Sequence, residues 1–427
     1  MTKYRIPSSK RNESFGTSGL RMSGGEAYQD PLKSMRGERA IRAYHEMQHN
    51  SSVIGAIRFL IRLWTTHAQW YVEPADQSAE ARRWAEFVTE CMHDMSHSWT
   101  DFLSNCLTMI DYGWSYHEIV YKLRKGENRK DDRQSSQYTD GKVGWSRIPL
   151  RHQVSWYKWD WEDDRLVGMV QNDTDNASGQ VTIPTQKAIH FTTENVADNP
   201  DGRSLYRNAY VDWYFLKRIA DYEAIGIERD MAGLPVMEVP IEMLVEDASS
   251  EYTALIEDIE KMLGQLKRDE RGYAIVPASE TAEGKTGWKF GLLSAPGRHQ
   301  TDTIKVKAQY RANILQSVLA QFLEFGIAQH GSFALNSSAT NNFATAIGGL
   351  MDNIGHSFTK QGINPLMRFN NVNQQYWPTL QHSDLETPSL EEIGNYVLSL
   401  SKAGLDMTGG EMRGKLLSFA KLPDDEE

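Results

Sequence analysis

The sequence predicts an α+β protein in which two long helices flank a small αβ segment. Three observations support this prediction. Residues 54–193 mix helical spacing with alternating strand patterns, and apolar residues recur at steps of three and four from 205 to 231 and again from 304 to 322. Between these two helical stretches lie short strand and helix patterns.

The first region, up to about residue 201, is predicted to be mixed α+β. Ile54, Ile57 and Ile61 have helical spacing, and further helical patterns cover 78–95 and 99–111. Strand patterns cover 69–74 and 114–123, and the charged run 124–142 is expected to be an exposed loop. Residues 1–38 lack periodicity and predict a flexible arm. The aromatic group Trp156, Trp159 and Trp161 lies in a strand pattern, which favours a place in the core or in an interface.

The helix predicted over 205–231 is about 40 Å long at 1.5 Å per residue. It carries a second, aromatic face outside its apolar stripe, so we expect it to pack against neighbours on more than one side. Gly233 and Pro235 are expected to end it. The patterns that follow predict strands at 236–239, 273–278 and 288–292, a helix at 250–268, a long helix at 300–326, an uncharged loop at 331–338, and a helix at 339–358. Gly348 and Gly349 offer the last helix a place to bend.

Composition excludes several classes of protein. The 427 residues are 40% hydrophobic and 24% charged, which is typical of a globular protein. A balance of 46 basic against 57 acidic residues gives a formal charge of −11, which disfavours tight, static binding to nucleic acid. Cys91 and Cys106 cannot build a disulfide framework, and with no apolar signal segment at the N-terminus we expect synthesis in a reducing, intracellular compartment. The longest apolar stretch, 53–64, is too short to span a membrane.

Motifs that could carry chemistry are imperfect. His93 and His97 have the i, i+4 spacing of a zinc protease with Asp94 beside them, but Asp is shorter than the expected Glu and no third ligand follows. Two segments, 279–286 and 409–416, approach a phosphate-binding loop; Ser279 replaces its first Gly and Leu416 its hydroxyl residue. We expect no metal, no cofactor and no enzyme activity. An NTPase or hydrolase built on the αβ segments is the alternative, and a helix-mediated scaffold or adaptor is a third possibility.

The order of parts, together with three local segments, resembles the tailed-bacteriophage portal proteins, the head-to-tail connectors of phage capsids. The segments are HNSSVIGAIRFLIRLWTTHAQWYVEP (49–74), YGWSYHEIVYK (112–122) and DGRSLYRNAYVDWYFLKRIADYEAIGIERDMAGLPVMEVP (201–240). The resemblance covers about residues 40–370 and rests on order and extent together. It implies a portal-type fold with a mixed α+β wing, two long stem helices flanking a small αβ clip, a kinked tunnel helix and a helical C-terminal crown.

The implied boundaries are a flexible arm (1–38), a wing (39–201), stem helices (202–231 and 299–327), a clip (232–298), a tunnel loop and tunnel helix (328–370), and a crown with an acidic tail (371–427). The implied function is a homo-oligomeric ring, a dodecamer, at one capsid vertex, through which double-stranded DNA is packaged and ejected. The implied partners are the terminase large subunit, head-completion and adaptor proteins, and the major capsid and scaffold proteins, with no membrane. The expected location is the virion, after synthesis in the bacterial host cytoplasm.

The resemblance also implies where DNA passes. A channel that lets DNA slide should avoid phosphate contacts, since each Lys or Arg contact adds a counterion-release term that holds the duplex. The uncharged tunnel loop is the candidate lining: Gly331, Ser332, Phe333, Ala334, Leu335, Asn336 and Ser337. The stem charges are candidates for pairs between subunits or weak DNA contacts: Arg203, Arg207, Lys217 and Arg218 on the first stem helix, and Lys305, Lys307 and Arg311 on the second.

Overall fold

The computed structural model describes residues 30–162, 165–173, 179–194, 199–232, 234–245, 248–265, 274–278, 288–293, 303–325 and 333–385. The chain divides into two compact units: a first unit formed by 1–210 and 314–427, and a second formed by 211–313. The predicted crown beyond residue 385 and the predicted arm before residue 30 lie outside the described residues.

Helices of the first unit occur in both of its chain segments. They are α1 (Gly37–Asn50), α2 (Ser52–His67), α3 (Ala79–His93), α4 (Trp99–Cys106), α5 (Thr108–Tyr112), α9 (Phe322–Phe325), α10 (Phe333–Phe358) and α11 (Asn364–Phe369). Serines begin three of them, because the Oγ atoms of Ser51, Ser78 and Ser98 accept the N–H groups of Ile54, Ala81 and Asp101. Such a cap satisfies an otherwise unpaired helical donor and stabilises by about 1 kcal/mol.

The described strands of the first unit form four small sheets. The strands are β1 (Trp70–Glu73), β2 (Trp114–Glu118), β3 (Val120–Leu123), β4 (Val143–Arg147), β5 (Leu150–Arg151), β6 (Trp156–Glu162), β7 (Arg165–Asn172), β8 (Gln180–Pro184), β9 (Ala188–Thr192) and β13 (Thr379–His382). Their orders are β5-β2-β9, β6-β7-β8, β3-β4 and β1-β13, and every pairing is antiparallel. The 114–123 pattern, predicted as one strand, is therefore split at Ile119 between two sheets.

Buried aromatic rings join these sheets to the helices. Phe102 packs edge-on against Phe191 and Phe358 at ring-centroid distances of 6.2 and 5.4 Å. Trp159 packs 4.9 Å from the ring of Trp114, and its indole N–H donates to Asp201 at 2.7 Å. Trp159 is half-buried, and its ring packs within its own chain, as the core interpretation predicts. Trp145, fully buried, lies 5.2 Å from Phe358.

Two glycines allow a close backbone crossing in the first unit. Gly113 ends α5 at φ +95°, and a Cβ atom there would lie 2.4 Å from the carbonyl oxygen of Asp201. Gly202, at φ +53°, faces the Gly113 carbonyl in the same way. Since both positions need positive φ and lack room for a Cβ, glycine is required at each.

The second unit contains most of the two long helices and a small αβ layer. Its elements are α6 (Tyr210–Ala232), β10 (Leu234–Val239), α7 (Ser250–Gln265), β11 (Ala274–Pro277), β12 (Lys289–Leu293) and α8 (Thr303–Ser317), of which α6 begins and α8 ends at the border of the unit. β10 lies centrally, parallel to β11 and antiparallel to β12, and a cluster of Val239, Met243, Ile259 and Leu263 packs α7 against the sheet. The predicted αβ segment between two helices is therefore present.

Helix boundaries differ from the sequence prediction at both long helices. α6 begins at Tyr210, because residues Leu205–Arg207 form a 3-10 turn capped by the Ser204 hydroxyl. The second long helix ends at Ser317, well before residue 326. There Leu319 adopts φ +60°, and the Ala320 N–H donates to the Leu315 carbonyl at 2.8 Å. This is a Schellman ending with leucine where glycine is usual.

Further corrections concern 331–358. The predicted loop is helical from Phe333 onward, whereas Gly331 and Ser332 lie outside the described residues. The helix continues with α geometry through Gly348 and Gly349. The departure from α geometry comes later, at a π-helical turn over Thr359–Ile363. Helix α1, which the sequence patterns did not predict, occupies Gly37–Asn50 and buries Ile41, Tyr44 and Met47.

Candidate functional site

α6 and α8 form an antiparallel pair in the second unit. The side-chain amide of Asn313 donates to Asp212 at 2.8 Å, and the rings of Phe215 and Tyr310 stack with centroids 6.2 Å apart. Farther along the pair, the Thr303 hydroxyl donates to Glu223 at 2.9 Å. Since partners that come later on α6 come earlier on α8, the helices run in opposite directions.

An ion pair holds the far end of this helix pair. The Lys307 ammonium donates to the Glu223 carboxylate, which the Thr303 hydroxyl also contacts. These two hydrogen bonds, that of Lys307 being the stronger influence, lower the pKa of Glu223. The predicted stem charge Lys307 is thus satisfied within its own chain.

The opposite face of α6 is apolar and exposed. Helical geometry of 100° per residue places four large side chains and one arginine on this face, and we call it the α6 outer face. Tyr222 is 63% exposed and the other three apolar side chains range from 41 to 44%, while the Arg218 guanidinium lies 5.9 and 5.7 Å from the rings of Tyr214 and Tyr222. The members of the α6 outer face are Val211, Tyr214, Arg218, Tyr222 and Ile225.

The other predicted stem charges lie in three different settings. Arg203 and Arg207 precede α6: Arg203 donates to the Asn208 side chain at 2.7 Å, and Arg207 makes a two-pronged ion pair with Asp30. Burial opposes ionisation of Asp30, but the hydrogen bonds from Arg207 and from the Leu32 backbone hold its pKa below the ordinary value. Lys217 lies over the Trp213 ring at 5.7 Å. These contacts make Arg207 a structural residue of the first unit.

The second-helix charges Lys305 and Arg311 are both exposed. Arg311 shares a helical face with Ile304, which is 74% exposed. Within the part of the chain that the structure describes, Arg311 has no intramolecular ion-pair partner. Of the predicted stem charges, Arg218 and Arg311 are those that make no hydrogen bond or ion pair within the described residues.

Helix α10 contains most of the predicted tunnel loop in its first turns, from Phe333 to Ser337. Residues 326–359 contain no Lys or Arg, and their single acidic residue is Asp352. Asp352 in turn lies 3.2 Å from Nε2 of His382. The described exposed positions of this helix are mostly small and polar: Asn341, Asn342, Thr345, Ala346, Gly349, Asp352 and His356.

Amide side chains attach the second half of α10 and the following turn to sheet edges. Gln361 accepts the N–H of His190 at 3.0 Å and donates to its carbonyl at 3.1 Å, as a neighbouring strand would. Asn353 donates to the Thr192 carbonyl at 2.7 Å, and Asn370 makes a similar double contact with Val143. No local sequence pattern predicted these residues.

The chemical motifs do not form sites in the described part of the chain. α3 ends at His93, so His93 and His97 do not share a helix face; His97 instead accepts the Ile148 N–H through Nε2 at 2.9 Å. Among the described residues, no group of three His, Cys, Asp or Glu side chains could hold a metal. Segments 279–287, with Lys285, and 409–416 lie outside the described residues. Both cysteines are buried, and burial raises the pKa of Cys91 to about 12.

A comparison with protein families matches residues 41–416 to the family described as portal protein of Mu bacteriophage. The chain belongs to this family. Portal proteins are structural components of phage particles rather than an enzyme family. The resemblance stated from the local sequence segments is thereby confirmed.

Three solved structures with a similar fold come from gene transfer agent (GTA) particles. The structure of the virion of a native GTA particle aligns at TM-score 0.52 and 10% identity, over 92% of this chain and 96% of the other. The neck of an empty GTA particle, computed with C6 symmetry, aligns at TM-score 0.53 and 12% identity, over 89% and 94%. The neck of a native GTA particle, computed with C12 symmetry, aligns at 0.51 and 11%, over 89% and 93%. At such identities the likeness establishes a shared fold.

A comparison with curated proteins gave no match. No helix among the described portal residues has both the length and the apolar character needed to cross a membrane.

Proposed function

We propose that this portal-family protein assembles as a dodecameric ring and forms the channel for double-stranded DNA packaging and ejection at one capsid vertex. The observation that carries this proposal is the α6 outer face. A single chain exposes four large apolar side chains along one helix while α8 contacts the opposite face through Asp212 and Glu223. Contiguous apolar patches of this kind mark interaction sites, and closed symmetry lets identical neighbours cover them.

The dodecameric number draws support from the GTA neck structure computed with C12 symmetry. In such a ring, α6 and α8 correspond to the stem, and the outer face of one subunit packs on the next. Arg218, lying between two tyrosine rings, is then desolvated and paired at that contact. Arg311, exposed on α8, is the second candidate for a pair between subunits or a weak DNA contact.

The proposed domain scheme follows the implied boundaries with the helix limits found here. Residues 39–201 form the wing and β10, α7, β11 and β12 the clip, while α10 to α11 form the tunnel helix. Its kink corresponds to the π-helical turn at Thr359–Ile363. Residues 371–427 remain the proposed crown.

The proposed channel lining is the stretch from Gly331 to Ser337 at and before the start of α10. The absence of Lys and Arg over 326–359 supports it, because no cation in this stretch can hold a phosphate as DNA slides. The amide contacts of Asn353 and Gln361 support a rigid attachment for the other end of the helix. The channel therefore acts by shape and by weak interaction rather than by binding.

The proposed partners are the terminase large subunit, head-completion and adaptor proteins, and the major capsid and scaffold proteins, in the virion. We propose no enzyme activity for the chain, in keeping with the structural role of the family. The energy for DNA movement then comes from the terminase that the ring docks.

The test is the mass and shape of the full-length protein by light scattering and negative-stain imaging. Twelve copies of the 48.6 kDa chain give rings of about 580 kDa with a central hole. Tyr222→Glu places a charge on the α6 outer face and should shift the main peak to smaller species. Tyr157→Glu is the matched control, since Tyr157 is half exposed on β6 outside this face, and it should keep the ring.

A wild-type chain that stays monomeric across salt and protein concentration would contradict the ring. Equal loss of assembly in both tyrosine variants would contradict the role given to the α6 outer face. DNA packaging with terminase by a Phe333→Ala ring at the wild-type rate would argue against the channel lining.

A further inference from the structure

A second surface lies at the loop after β3, residues 124–142, which we call the basic loop. Lys125, Arg129 and Lys130 are exposed there, and no described residue forms an ion pair with any of them. The chain as a whole carries a formal charge of −11. Three unpaired cations on one loop therefore contrast with the negative net charge of the chain.

The basic loop is ordered by buried polar contacts. The Lys122 ammonium and the Asp94 carboxylate, 2% and 4% exposed, lie 3.1 Å apart. Asp94 also accepts the Ser136 hydroxyl at 2.6 Å and the Gln137 N–H at 2.9 Å. The Asn128 side chain accepts the Lys130 N–H at 3.0 Å, which fixes the segment between the cations. A loop held this firmly presents its charges in a defined arrangement.

The cations border a groove of about 750 Å³. Tyr121, Leu123 and Val143 give it an apolar lining, and Leu123 is 48% exposed.

One wall of the groove is a free strand edge. The Arg124 N–H donates to the Lys142 carbonyl and the Arg124 carbonyl accepts the Gly141 N–H, so the backbone of Arg124 faces the strand partner. Because backbone groups alternate along a strand, those of Leu123 face the opposite edge, toward the groove. In the described residues these Leu123 groups have no hydrogen-bond partner.

We propose that this groove docks an extended, acidic segment of another protein, which adds to the edge of β3 as a further strand. Main-chain hydrogen bonds supply affinity in such pairing, and side chains at alternate positions supply specificity. Here acidic side chains at every second position meet Lys125, Arg129 and Lys130. The inference does not depend on ring assembly, because every residue that it uses lies in the first unit.

One feature favours a peptide over nucleic acid: the free edge pairs with amide groups, which a nucleotide backbone lacks. Glu127 also lines the groove but repels phosphates and acidic side chains alike, so it does not distinguish the two. Lysines on an edge can also serve simply to prevent aggregation. That role requires neither the groove nor the buried ion pair that orders the basic loop.

The test measures fluorescence anisotropy of a labelled twelve-residue peptide of alternating Glu and Val with the full-length chain. We expect binding that weakens as salt rises. The triple variant Lys125→Glu, Arg129→Glu and Lys130→Glu should reduce affinity at least about tenfold. A control triple with the same charge change, Arg39→Glu, Arg83→Glu and Lys187→Glu, alters exposed residues on other elements and should retain affinity.

Three further probes separate the occupants. The same peptide with alternate backbone nitrogens methylated keeps its charge but cannot pair with an edge, and its retained affinity would overturn strand addition. Single-stranded DNA of twelve nucleotides that binds as tightly as the peptide would assign the groove to nucleic acid. A peptide of residues 416–427 that binds more tightly than the alternating peptide would assign it to the chain's own tail. Absence of binding by the alternating peptide would overturn the proposal altogether.

Discussion

Lys122→Met should be the most informative single change in the first unit. It removes the cation of the buried pair with Asp94 and preserves most of the side-chain volume. Asp94 then keeps its hydrogen bonds from Ser136 and Gln137 but remains buried without a countercharge, and the carbonyls of Asp94 and Ser135 lose the ammonium donor. Breaking a buried pair on one side costs about 3 to 5 kcal/mol, so we expect a loss of that size in the free energy of unfolding.

The assay combines denaturant unfolding with hydrogen exchange read by mass spectrometry. Amides of 124–138 should exchange faster in the variant, whereas those of the β6-β7 pair serve as an internal reference. In a double-mutant cycle with Asp94→Asn, the stability loss of the double variant should be smaller, by at least about 1 kcal/mol, than the sum of the losses of the two single variants. A cost below about 1 kcal/mol for Lys122→Met, or unchanged exchange in the basic loop, would refute the view that this pair orders the loop.

Three further changes test other parts of the fold. Gly113→Ala should lower the free energy of unfolding by more than about 2 kcal/mol, because it adds a Cβ 2.4 Å from a carbonyl oxygen at a position with positive φ. Thermal unfolding measures this loss, and an unchanged stability would show that the backbone crossing can relax. Burial raises the folded-state pKa of Asp111 to about 6 despite the Arg58 partner, so the folded protein binds the proton more tightly. The free energy of unfolding should therefore fall by about 2 kcal/mol as pH rises from 4 to 7. Asp111→Asn should flatten that slope in unfolding curves, and an unchanged slope would contradict it. Gln361→Leu leaves the backbone groups of His190 unpaired and should lower the free energy of unfolding by about 1 to 3 kcal/mol. The His190 amide should then exchange faster with solvent, and unchanged protection of this amide would contradict the prediction.

Local periodicity predicted those helices and strands in which buried side chains recur every few residues. The spacing of Ile54, Ile57 and Ile61 predicted α2, and all three side chains are buried. The strand and helix order of the αβ segment was also predicted, because each of its elements has a clear pattern and short connections. The second aromatic face of the first long helix was visible in the sequence, and the structure shows Tyr214 and Tyr222 exposed on it.

Other features depend on contacts that periodicity does not contain. Leucine is a good helix former, so nothing in the local sequence marks Leu319 as the residue at which α8 has ended. Gln361 pairs with a residue 171 positions away, and such long-range amide contacts have no local pattern. Arg58 of α2 reaches the buried carboxylate of Asp111, 53 positions along the chain, at 3.0 Å. These are tertiary effects that override local preference.

The two long helices show why assembly can be predicted from a sequence before a site can. A helix that packs on one side needs one apolar stripe, and the α6 sequence supplies that stripe and a second one besides. Evolution of a monomer would replace exposed Tyr222 and Ile225 with polar residues, since their exposure promotes aggregation. Their presence beside Arg218 therefore indicates a regular partner surface. The proposed channel lining, in contrast, is marked only by the absence of Lys and Arg over 326–359, and this absence becomes informative only within the proposed ring.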